Sequence, residues 1–120
     1  MTEEARRDSY ERAIKFFSDY EHHVFVCDSW LLYPGHYKCL PETSNIIGFM
    51  NDFSIIHSHE HRSTGDLWRI YGFDYDLRDF ESLPETTSVQ RYYKKYLIET
   101  QGKNGSGYGV FMIENGKHLK

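Results

Sequence analysis

The stretch that decides the fold reads HHVFVCDSWLLYP over residues 22–34. Its first part, His22 to Cys27, predicts a β-strand, because valine and phenylalanine favour the pleated backbone. The apolar run inside this segment is unbroken, which predicts a strand buried on both faces. Apolar residues continue from Trp30 to Leu40 around Pro34 and Gly35, and this pattern predicts a turn followed by a short helix.

Two helices are predicted on either side of this segment. One runs from Thr2 to Tyr20, with Thr2 as its N-cap. The other is short and runs from a cap at Thr43 or Ser44 through Asn51. The first helix places its apolar side chains at spacings of three and four, on a face made of Tyr10, Ala13, Phe17 and Tyr20.

A third helix has the clearest boundaries. Thr87 and Gln90 form a T-x-x-Q capping box at its start, and Gly102 ends it. The glycine-rich segment 105–109 that follows is predicted to be a flexible loop. Residues Tyr108 to Glu114 then predict a final strand.

Two further strands are predicted in the middle of the chain. They are Phe53 to His61 and Asp66 to Phe73, and the turn Ser63-Thr-Gly65 would join them as a hairpin. The predicted order of elements along the chain is therefore αβα(α)ββαβ.

The length and composition predict one folded domain over residues 1–120. Hydrophobic residues make up 39% and aromatic residues 17%, enough to build a core. The net charge of −4 argues against nucleic-acid binding through a general positive field. No apolar run approaches the ~20 residues of a membrane span, and the charged N-terminus resembles no signal peptide. We therefore expect a cytoplasmic protein, without a nucleic-acid or membrane partner.

Three ordered signatures resemble one protein family. They are the F-V-C-x-S-W-L-L-x-P pattern at residues 25–34, an LP…SNI pattern at residues 40–46, and an LPxxTSLQR pattern at residues 83–91. Val89 stands where the last pattern has leucine. Together these segments are similar to the GNAT-like C-terminal domain of bacterial acyltransferases.

The resemblance implies a GNAT-like α+β fold, with a mixed, mostly antiparallel sheet flanked by helices. It implies acyl-CoA as a cosubstrate and no covalently bound cofactor. It also implies a preceding N-terminal acyltransferase-type domain as a partner. The chain departs from ordinary GNAT enzymes, because it lacks their R/Q-x-x-G-x-G/A turn, which holds the CoA pyrophosphate at a helix N-terminus.

Asn45, Gln90 and Arg91 are the candidate cofactor-binding residues. Each is polar and lies in the first turn of a predicted helix, where the helix end attracts anions such as a CoA phosphate. Arg91 would add a bidentate charge. The alternative is that Asn45 and Gln90 satisfy backbone donors, as the capping box indicates for Gln90.

Ser29 and Tyr108 are the candidate catalytic residues. Ser29 lies in the Cys27-Asp-Ser-Trp30 segment, which offers a thiol or hydroxyl nucleophile. His22, His23 or His36 is its candidate base. Tyr108 is a candidate acid for protonating a leaving thiolate. The alternative for Ser29 is structural, because serine can cap the turn that follows it.

Three histidines alternate in His57-Ser-His-Glu-His61. In a strand, His57, His59 and His61 share a face, and two of them could reach one zinc ion. They are weak metal candidates, because histidines on a solvent face need no ligand, and no metal is expected.

Two functions remain open. One is acyl transfer from acyl-CoA to an amine acceptor, with the help of an N-terminal domain. The other is a non-catalytic binding or dimerisation module of the same fold, which would self-associate. An open cleft between splayed strands would favour the enzyme, and a filled core with an apolar outer patch would favour the module.

Overall fold

A computed structural model describes all residues from 1 to 120. The helices are α1 (Glu3–Phe16), α2 (His36–Cys39), α3 (Asn45–Asn51), α4 (Trp68–Tyr71) and α5 (Ser88–Thr100). The strands are β1 (His22–Ser29), β2 (Ser54–His61), β3 (Asn104–Glu114) and β4 (Lys117–Leu119). Single 3₁₀ turns occupy Trp30–Leu32 and Phe80–Ser82. None of the helices combines the length and the apolar character needed to cross a membrane.

The strands form one antiparallel sheet in the order β1-β3-β2, and β4 pairs with the end of β3. This confirms the predicted α+β class and the antiparallel sheet. The buried side chains of the sheet lie on one face. On that face Phe25 of β1 stacks on Phe111 of β3, with ring centroids 4.7 Å apart, and Tyr10 of α1 packs against both rings.

The predicted glycine loop is wrong, because its residues belong to the central strand β3. Gly105 and Gly107 face the core and lie too close to other backbone segments for any side chain. A Cβ on Gly107 would collide with the carbonyl group of Leu32, and one on Gly105 with that of His59. These glycines allow the main chain of β3 to lie in direct contact with the backbone of Leu32 and His59.

The predicted hairpin is also wrong, because β2 pairs with β3 rather than with residues 66–73. The latter residues contain α4 instead. Leu67 and Tyr71 are buried four positions apart, while Trp68 and Arg69 between them are exposed. This is the burial period of a helix and not of a strand.

Strand β1 has one buried face, and not two as predicted. Its exposure alternates along the strand, with Val24 61% and Val26 60% exposed. Helix α1 ends before the last part of its predicted apolar face, so Phe17 and Tyr20 are exposed. The unbroken apolar run therefore leaves apolar surface on the outside of the domain.

Asp52, directly after α3, makes hydrogen bonds to both the N-terminal helix α1 and the C-terminal strand β4. Its carboxylate accepts hydrogen bonds from Arg6 (2.9 Å) and Tyr10 (2.8 Å) of α1. Its backbone carbonyl lies 2.6 Å from the His118 imidazole of β4. Arg6 is 5% exposed, so the ion pair that fastens α1 is shielded from solvent.

Candidate functional site

A groove of about 420 Å³ lies between the N-terminal ends of α3 and α5. The α3 side contributes Asn45, which is exposed, and the α5 side contributes Ser88 and Tyr92. Ser44 caps α3 by accepting a hydrogen bond from the Ile46 amide (3.2 Å). The remaining lining residues are Leu40, Pro41, Thr43, Ile46 and Val89.

Gln90 and Arg91 do not line this groove. The Gln90 side-chain oxygen accepts from the amides of Thr86 (2.9 Å) and Thr87 (3.2 Å), which completes the predicted capping box. Its side-chain nitrogen donates to the Ile70 carbonyl (3.2 Å). Arg91 is exposed and donates to the Glu85 carbonyl (3.2 Å). Of the three candidate cofactor-binding residues, only Asn45 therefore faces the groove.

Ser29 acts as a cap in this structure. Its hydroxyl oxygen accepts a hydrogen bond from the Leu31 amide (3.1 Å) at the start of the 3₁₀ turn. The neighbouring Cys27 is a poor nucleophile, because burial raises the pKa of its thiol and the charge of Asp28 raises it further. These contacts are those of the alternative role, in which Ser29 caps the turn that follows it.

Tyr108 lies on the opposite face of the sheet from Ser29. The strand register places it directly between Asp28 of β1 and His57 of β2. Residues opposite one another on antiparallel strands have Cβ atoms about 5 Å apart, so these three side chains form a row across the sheet. The row places a phenol, an imidazole and a carboxylate on one surface, and Asp28 is its one member that sequence reasoning did not select.

The three histidines of β2 do not form a metal centre. The rings of His59 and His61 lie 5.6 Å apart, while a bulge displaces the strand just before His57. The imidazole of His61 lies 3.8 Å from the Asp66 carboxylate. No three histidine, cysteine or acidic side chains converge closely enough to hold a metal ion.

His36, one of the candidate bases for the segment around Ser29, is completely buried. Its Nε2 lies 2.8 Å from the Trp30 carbonyl, and its Nδ1 lies 2.9 Å from the Tyr93 hydroxyl. A neutral ring with its proton on Nε2 satisfies both contacts, with the tyrosine donating to Nδ1. Burial lowers the pKa of His36 to about 4. The ring thus fixes the segment after β1 to α5.

A second polar contact in the core involves Tyr33. Its hydroxyl donates to the Glu60 carboxylate (2.7 Å) and lies 2.8 Å from the Tyr96 hydroxyl. Burial, followed by these hydrogen bonds, raises the pKa of Tyr33 far above its ordinary value. Tyr33 of the first signature therefore joins β2 to α5.

The sequence model of the GNAT-like C-terminal domain family matches residues 1–111. The chain belongs to this family. The match confirms the resemblance of the three signatures. No curated protein matches the chain.

Solved structures share the fold of this GNAT-like domain. One is an acyltransferase in complex with decanoyl-CoA, which has 20% sequence identity and a TM-score of 0.69 over 92% of this chain. Another is an acyltransferase in complex with CoA and 10C-teicoplanin, with 23% identity, the same TM-score and the same coverage. The chain spans 35% of the first protein and 36% of the second. It therefore corresponds to about a third of each of these acyltransferases.

The GNAT-like domain does not bring its candidate residues together in one pocket. Asn45 lies in the helical layer, Ser29 is turned toward that layer, and Tyr108 lies on the other face of the sheet. A local signal, the helix cap, was enough to find Asn45, which lines the groove. The row around Tyr108 depends on strand pairing, for which a single sequence gives no such signal.

Proposed function

We propose that this GNAT-like domain takes part in acyl transfer from acyl-CoA to an amine acceptor, together with a further acyltransferase domain. The observation that carries the proposal is the family match over residues 1–111. The shared fold with acyltransferases in complex with decanoyl-CoA or CoA supports it, and so does the greater length of those chains.

The groove between α3 and α5 is the proposed contact for CoA. The amide groups at the start of α5 and the Asn45 side chain offer hydrogen-bond donors to a phosphate. Arg91 is exposed on the same first turn and has further N–H groups to offer beyond its contact with Glu85. Gln90 contributes by holding the capping box that fixes this end of α5.

The chemistry expected is direct attack of the amine on the thioester carbonyl. A base takes the proton of the amine, and an acid protonates the CoA thiolate as it leaves. We assign the acid to Tyr108 and the base to the adjacent His57, on the sheet face that a further domain would complete. The long pantetheine arm of CoA separates its phosphates from its thioester, so the two groups need not share one pocket. Ser29 then serves to shape the turn after β1.

Calorimetric titration of the chain with CoA, acetyl-CoA and decanoyl-CoA tests the CoA contact. We expect micromolar binding that Asn45→Ala and Arg91→Ala each weaken about tenfold. Arg78→Ala is the matched control, because Arg78 is an exposed arginine whose side chain pairs only with Asp76. Absence of binding, or equal binding by all three variants, would remove the groove as a CoA site.

A non-catalytic binding module is the second candidate function. The observation in its favour is that β1, β3 and β2 stay hydrogen-bonded neighbours with no open cleft between them, apart from the bulge at Ile56. Apolar side chains of β1 also remain exposed. The enzyme is favoured over the module if the chain, joined to a further acyltransferase domain, transfers acyl groups and loses this activity in Tyr108→Phe.

A further inference from the structure

Strand β1 is a free edge of the sheet. It spans eight residues and pairs only with β3, so its other side presents unpaired backbone groups. Natural edge strands are usually protected by lysine, proline or a bulge. The sequence HHVFVCDS contains no lysine or proline, and its pairing with β3 is continuous from His22 to Ser29.

The surface beside this edge is apolar. A hollow of about 380 Å³ lies between the end of α1 and β1, and six of its eight lining residues are hydrophobic. Phe17 and Tyr20, exposed by 51% and 66%, line it together with Val24 and Val26. Contiguous apolar surface of this kind marks an interaction site.

The outer side chains of β1 are self-complementary when the strand is reversed. They follow the order His22, Val24, Val26, Asp28, with Phe25 at the centre of the pattern. A second copy running antiparallel about Phe25 would place His22 opposite Asp28 and Val24 opposite Val26. A histidine then faces an aspartate at each end, and valine faces valine in the middle. Such cross-strand pairs stabilise a sheet.

We propose that β1 pairs with β1 of a second copy of this chain, edge to edge and antiparallel, with Phe25 on the two-fold axis. The two sheets then continue into one another, and the hollow beside each β1 receives apolar side chains of the other copy. An isologous contact of this kind closes on itself as a dimer. The proposal concerns assembly and stands independently of acyl transfer.

Sedimentation velocity over a concentration series tests for the dimer. We expect a monomer–dimer equilibrium whose dissociation constant rises by about tenfold or more in Val24→Lys, because the dimer contains the Val24–Val26 contact twice. Ile56→Lys is the matched control, since Ile56 is 63% exposed on β2, and it should leave the equilibrium unchanged. A monomer throughout the series, or a dimer that Val24→Lys does not weaken, would overturn the proposal.

Disulfide trapping tests the register, in a background that carries Cys27→Ser and Cys39→Ser and so has no natural cysteine. Val24→Cys and Val26→Cys chains, mixed and then oxidised, should form a crosslinked dimer. Either variant alone should not, because its new cysteine faces a valine. Two sheets stacked face to face lie about 10 Å apart, so opposed cysteines there would be too distant to bond. Equal crosslinking by Val24→Cys alone, or none in the mixture, would refute this pairing.

Discussion

The buried His36 makes the stability of the domain sensitive to acid. Its side chain is completely buried, and both ring nitrogens are engaged by Trp30 and Tyr93. A proton added at Nδ1 would place a charge in the core. Burial therefore lowers the folded-state pKa of His36 from the ordinary value of 6.5 to about 4.

The direction and size of the effect follow from these two pKa values. As the pH falls below 6.5, the unfolded chain binds a proton at His36 while the folded chain does not, so folding loses free energy. The loss is complete once the pH falls below about 4, and its full size is about 3 kcal/mol. Between pH 7 and pH 5 the same relation gives a loss of about 2 kcal/mol.

Urea unfolding at a series of pH values measures this loss. His36→Gln should lower the free energy of unfolding at pH 7 and remove most of its decrease toward pH 5. His57→Gln removes an exposed histidine and should leave the decrease in place. The reasoning fails if the domain unfolds with the same free energy at both pH values, or if His36→Gln retains the full decrease.

Three further predictions concern packing and capping, and urea unfolding measures each of them. Arg6→Ala should lower the free energy of unfolding by about 3 kcal/mol, because it leaves Asp52 without its cation. Arg12→Ala breaks an exposed ion pair and should lower it by less than about 0.5 kcal/mol. Equal losses in the two variants would contradict the role of burial. Gly107→Ala should cost more than about 2 kcal/mol, since the added methyl meets backbone, and a neutral effect would contradict the close approach. Thr87→Ala should lower the free energy of unfolding by about 1 kcal/mol, because the capping box is lost. An unchanged urea midpoint would show that this cap does not stabilise the domain.

Local signals in the sequence predicted the starts of α3 and α5 correctly. The capping box of Thr87 and Gln90 and the cap at Ser44 both form as expected, because each depends on residues within one turn. The same signals led to Asn45, which lines the groove. Residues that act through their nearest neighbours in the chain are thus accessible to sequence reasoning.

Pairing between distant strands was less accessible. The strand predicted over residues 66–73 is wrong because the partner of β2 comes from the far end of the chain. The glycines of β3 suggested a loop because the crowding that requires them comes from Leu32 and His59, which are distant in sequence. The polar contacts of His36 and the row around Tyr108 were hidden for the same reason.

The central position of β3 has a consequence for folding kinetics. Strands β1 and β2 each pair with β3 and not with one another, yet both precede it in the chain. During synthesis neither can form its hydrogen bonds until residues 104–114 emerge. Such long-range closure is slow. The nascent chain must hold its apolar strands unpaired during this interval, and the edge of β1 is then the segment most exposed to aggregation.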